Sequence, residues 1–67
     1  MEVAYIHKVI EEIKEEVGFN DHEAAHRLED TLWWSVLKAI AGGAENAVEL
    51  AQEALKTYDM DFYRWYA

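Results

Sequence analysis

Sixty-seven residues with fourteen acids against six bases, and neither cysteine nor proline, bound the problem to one small acidic domain. A chain this short has a marginal core unless a disulfide, a metal or another subunit adds to it, and the missing cysteines exclude disulfides and thiolate zinc sites. The apolar fraction of 52% and nine aromatic residues exclude a disordered chain, while a net charge of −8 argues against direct binding to nucleic acid or anionic membranes.

No stretch approaches the ~20 apolar residues of a membrane span, and Met1-Glu2 lacks the basic flank of a signal peptide. A cytoplasmic protein is expected, with a basic partner if the partner is charged. The acids are uneven: residues 1–30 hold nine acids and three bases, residues 31–67 five and three.

Val3, Ile6, Ile10, Ile13 and Val17 follow a 3-4-3-4 spacing that keeps one apolar stripe on a helix, and Val9 widens it. The first helix is predicted over about 2–17, ended by Gly18 in the left-handed position. Phe19 and Asn20 make the turn, and Asn20 with Glu23 has the form of a capping box. The second helix is predicted over about 21–41, with Ala25, Leu28, Leu32, Val36 and Ala39 inward. From Trp33 onward it is apolar nearly all round, and Gly42-Gly43 ends it.

A third helix is expected over about 44–58, with Ala47, Val48, Ala51, Ala54, Leu55 and Tyr58 inward and Glu45, Glu49 and Glu53 as an outer ridge. Residues 59–66 form a short helical segment, capped by Asp59, that must lean on the rest. Short connections lead to an all-α, three-helix antiparallel up-down bundle, a single domain over residues 1–67 closed at one end by the C-terminal segment.

His22-Glu23-Ala24-Ala25-His26 matches the H-E-x-x-H string, in which residues i and i+4 share a helical face so that two imidazoles hold zinc and the glutamate activates its water. Here the string falls in a helix's first turn and has no assured third ligand, so exposed capping histidines are the preferred reading, with His22 and His26 as the alternative metal ligands. His7 has no partner legible in sequence. Ser35 is the only serine and lies in an apolar stretch, and no glycine-rich phosphate loop exists. An enzyme is not expected, and no cofactor is implied.

Glu11, Glu12, Glu15 and Glu16 place like charges at i,i+4 spacing, and the last two oppose the helix dipole. Such a ridge is either a solubilising face or a surface selected to meet a basic partner. Trp33 and Trp34, ~100° apart on a helix, cannot both point inward, and Phe62, Tyr63, Trp65 and Tyr66 add further rings. Either every ring is buried in this chain or some anchor an interface.

Residues 21–67 resemble small, functionally uncharacterised helical proteins of phage and prophage regions. The resemblance rests on Glu29-Asp30 with Leu32, Val36-Leu37 with Ile40-Ala41 and Gly43, Leu50-Ala51 with Ala54-Leu55 and Thr57, and Asp61-Phe62 with Arg64-Trp65-Tyr66-Ala67. It implies a context in which small acidic proteins act as host-directed inhibitors or accessory subunits. It also implies that Arg64 contacts Glu29 or Asp30 to lock the fold.

The function expected is a non-catalytic protein–protein interaction module, of the kind that inhibits a basic nucleic-acid-binding protein. Glu11, Glu12, Glu15 and Glu16 supply steering; Trp34, Trp65 and Tyr66 supply buried contact. A homodimer is expected. The alternatives are a self-associating structural or accessory subunit, and a zinc-binding protein or hydrolase using His22, Glu23 and His26.

Overall fold

The structure, a computed structural model, describes residues 1–64. It is all-helical: α1 spans Val3–Gly18, α2 His22–Ala41 and α3 Ala47–Leu55, followed by one 3-10 turn over Lys56–Asp59. The three helices meet in a core of Ile6, Val9, Ile10 and Ile13 from α1, Ala25, Leu32 and Val36 from α2, and Leu50 and Ala54 from α3, with Phe62 packed in from the C-terminal stretch. The α1 stripe is the one the 3-4 spacing predicts, with Val3 and Val17 partly buried at its ends.

At the first junction the end of α1 and the start of α2 each lie one residue beyond expectation, for a definable reason. Gly18 is still helical; the left-handed residue is Asn20, at φ 61°. The Asn20 amide donates to Val17 O at 2.9 Å and the Asp21 amide to Glu16 O at 2.8 Å, which satisfies the last carbonyls of α1. Asparagine tolerates this conformation better than other non-glycine residues. The cap of α2 is accordingly Asp21, whose carboxylate accepts the Ala24 amide at 3.1 Å, in place of an Asn20–Glu23 box. At its other end Gly43, at φ 93°, makes the equivalent turn, with its amide to Ile40 O and the Ala44 amide to Ala39 O.

The third helix departs furthest from expectation. It begins at Ala47, and the buried stripe of α3 and the 3-10 turn is Leu50, Ala54 and Thr57, whereas Val48, Leu55 and Tyr58 point to solvent and Ala47 and Ala51 are half-buried. α3 carries two overlapping apolar stripes, and α1 draws the Leu50 side inward by pairing His7 Nε2 with Glu53 Oε1 at 2.6 Å. Glu53 is therefore no outer ridge residue; its side chain is 17% exposed. The expected helical segment over 59–66 is not formed in its described part. Met60 turns extended, at ψ 136°, and residues 60–64 run on without helix; Trp65 and Tyr66 lie outside the described residues.

That stretch is held by specific contacts. Arg64 reaches Glu29 through Nε and Nη2, at 2.7 and 2.9 Å, and Nη2 also donates to Thr57 O at 2.9 Å. Of the two acids that the resemblance offers as its partner, Glu29 is the one bound. The Tyr63 amide donates to His22 Nδ1 at 2.7 Å.

Candidate protein interface

The neighbouring tryptophans of α2 split inward and outward. Trp33 turns inward, its indole N–H shared between Thr57 Oγ1 at 2.9 Å and Ala54 O at 3.2 Å. Trp34 is 63% exposed, with the Lys38 ammonium 4.6 Å above its ring. Leu37, one turn on, is 65% exposed. Intramolecular burial thus does not absorb the aromatic excess, since Phe19, Tyr58 and Tyr63 also face solvent.

Between α2 and α3 runs a groove of about 260 Å³, lined by Trp33, Val36, Leu37 and Ile40 on one side and Ala51, Ala54 and Leu55 on the other. Every lining residue is apolar. Trp34 and Leu37 of α2, Val48 and Leu55 of α3 and Tyr58 of the 3-10 turn are large apolar side chains left exposed. Val48, Leu55 and Tyr58, expected inward from the sequence pattern, are exposed instead. The usable signal was that Leu50, Ala54 and Thr57 form a second stripe at 4-3 spacing.

The acidic candidates lie elsewhere. On α1, Glu11 and Glu15 are exposed, while Glu12 and Glu16 are half-buried. Lys14 pairs with Glu11 at 3.3 Å, in a pair so exposed that it contributes little. No α1 residue lines the apolar groove. The chain therefore keeps its α1 acids apart from the groove on α2 and α3.

A second cleft of about 280 Å³ lies between α1 and the 3-10 turn, lined by His7, Ile10, Glu11, Lys14, Lys56 and Met60. Its charges are already paired: Lys14 with Glu11, and Lys56 and His7 with Glu53. Hydrogen bonds from Lys56 and then from His7 hold the Glu53 carboxyl below its ordinary range. This cluster fastens α1 to α3.

His22 and His26 sit in the first and second turns of α2. A backbone amide can only donate, so His22 Nδ1 must accept from Tyr63, and Nε2 then carries the proton toward Asn20 Oδ1 at 3.1 Å. His26 Nε2 lies 3.4 Å from Asp30 Oδ2. Among the described residues, no group of three or more His, Cys, Asp or Glu side chains is placed to hold a metal ion, and no helix is long and apolar enough to cross a membrane. Comparison of the chain with protein-family models, with curated proteins and with solved structures finds no match.

Proposed function

We propose that this chain is a non-catalytic protein–protein interaction module whose acidic α1 steers it to a basic protein, such as a nucleic-acid-binding protein that it inhibits. The observation that carries the interaction reading is the apolar groove between α2 and α3, flanked by exposed Trp34 and Leu37, because apolar surface of this kind is what protein partners bury. The preference for a basic partner rests on the net charge of −8 and on the α1 glutamates, whose like-charge spacing is unfavourable for the helix itself. The scaffold belongs to the same proposal: helices running up, down and up. The Asn46 side chain donating to Met1 O supports it, by bringing the start of α3 to the start of α1, as do the short connections.

The test is retention of host proteins on the immobilised chain, eluted by a salt series, with Glu11, Glu12, Glu15 and Glu16 all changed to Gln as control. A basic nucleic-acid-binding protein that elutes at moderate salt and ignores the control supports the reading. Reversing Glu11 and Glu15 to Lys should then slow association about tenfold or more at low ionic strength, with little change in dissociation. Equal retention by wild type and control would remove the steering role of α1.

A further inference from the structure

The charge pattern along α2 names the occupant of its apolar face. Asp30, Trp34 and Lys38 follow each other at four-residue intervals, so they form one line on the helix, with an acid and a base each about 6 Å along the axis from the central tryptophan. Asp30 has a side chain 68% exposed, touched by His26 at 3.4 Å, and Lys38 is exposed above Trp34. Beyond Asp30, α2 carries no further carboxylate. In a protein of net charge −8, this is a stretch where acid and base balance.

A line reading acid, aromatic, base is complementary to itself when reversed. Set two copies of α2 antiparallel with a two-fold axis through Trp34, and Asp30 of each faces Lys38 of the other while the two Trp34 rings meet at the centre. A basic partner would find no second carboxylate on this line, and the repulsion that net charge imposes on two copies is carried mainly by residues away from it, such as the exposed Glu11 and Glu15 of α1.

We infer that a second copy of this chain occupies the face, in an isologous dimer built on antiparallel α2 helices, with the second copy's Trp34 seated against Leu37 at the rim of the α2–α3 groove. The inference rests on the reading of Trp34 as an interaction residue and adds the partner and the geometry. The dimer also supplies the additional burial that a 67-residue chain without disulfides lacks.

Charge reversal with rescue tests it, using mass from light scattering and sedimentation over a concentration series, with helical content checked by circular dichroism. Wild type should be a dimer. Asp30→Lys and Lys38→Asp each create two like-charge contacts and should weaken the dimer about tenfold or more. The two weakened variants mixed together should restore a heterodimer, and the double variant D30K/K38D should restore the homodimer. Trp34→Ala should weaken association at least about thirtyfold. A monomeric wild type at all concentrations, or a dimer indifferent to the single reversals, overturns the inference. If wild type is monomeric yet retains a host protein that Trp34→Ala releases, the face serves a different protein: the second copy is excluded and the interaction module stands.

Discussion

Arg64 and Glu29 meet across 35 residues in a two-pronged contact: Nε to Oε1 at 2.7 Å and Nη2 to Oε2 at 2.9 Å, with the Glu29 side chain only 4% exposed. The same guanidinium stands 3.8 Å over the Phe62 ring and donates to Thr57 O. One side chain therefore joins the C-terminal stretch, the 3-10 turn and the middle of α2. Arginine suits this role because its planar fork satisfies both carboxylate oxygens and still has a donor for a backbone carbonyl.

Removing either partner should cost far more than the pair contributes on balance. Arg64→Ala leaves the Glu29 carboxylate buried without its cation and should destabilise the fold by about 3 kcal/mol, read from urea unfolding. Replacing both residues by leucine should recover most of that loss, since no buried charge is left. A double variant as unstable as Arg64→Ala would show instead that the guanidinium's bonds to Thr57 and its neighbours carry the effect.

The pair also sets the acid limb of stability. Burial pushes the Glu29 carboxyl up, but hydrogen bonding by Arg64, with the Arg64 and His26 charges, outweighs it and holds the group below its ordinary value of 4.5. A group depressed in the fold contributes stability that is complete above its unfolded value and is lost as pH falls through the folded one. Stability should thus hold from neutrality to about pH 5 and decline below that. Glu53, depressed by Lys56 and His7, declines in the same direction. In urea titrations at stepped pH, Glu29→Gln should flatten the decline; a slope identical to that of wild type would assign it to other carboxylates.

How much of this was legible in the sequence differs between helices. The α1 stripe was, because isoleucine and valine recur there on one face with charged residues on the others. Over α3 and the 3-10 turn two apolar stripes overlap, and the buried one ends in Thr57, which hydropathy ranks below Val48 or Leu55. The choice was made by tertiary partners that no local pattern reveals: His7 to Glu53, and Trp33 to Thr57. The buried charge at Glu29 was equally invisible to periodicity, since its warrant lies 35 residues away. The exposed apolar surface is legible in part for the same reason: neighbours ~100° apart must diverge, so one of Trp33 and Trp34 has to face outward, but which α3 side chains are exposed depends on the choice between its two stripes.

Thr57 is fully buried, and its hydroxyl both accepts the Trp33 N–H and donates to Ala54 O at 3.1 Å. Thr57→Val keeps the shape and deletes these bonds, at a cost of about 1–2 kcal/mol. Trp33→Phe removes the other partner. Because the two share one hydrogen bond, the double variant should be less destabilised than the sum, with a coupling of about 1 kcal/mol in urea unfolding. Strict additivity would mean that the indole is held by Ala54 O alone.

The α1–α2 junction gives opposite signs at Gly18 and Asn20, two residues apart. Gly18 is helical, and a Cβ built there meets nothing within 4 Å, so Gly18→Ala should stabilise by about 0.5–1 kcal/mol. Asn20 is left-handed at φ 61°, so Asn20→Ala should destabilise by about 1 kcal/mol while Asn20→Gly stays close to neutral. Asp21→Ala should cost about 1 kcal/mol as a lost cap. A destabilising Gly18→Ala in thermal melts would return the left-handed position to Gly18.

His22 anchors the same junction to the C-terminal stretch, and the direction of its bonds can be tested without changing pH. Its Nδ1 is an acceptor for the Tyr63 amide, a role that an asparagine side-chain oxygen can take over from nearly the same position and alanine cannot. Amide exchange followed by NMR should therefore show Tyr63 opening about five- to tenfold faster in His22→Ala and at close to the wild-type rate in His22→Asn, with amides in the middle of α1 unchanged in both. Equal acceleration in the two variants would mean that ring packing, and not the acceptor at Nδ1, holds Tyr63 in place. An unchanged rate in His22→Ala would assign the anchoring of residues 60–64 to Arg64 and buried Phe62 alone.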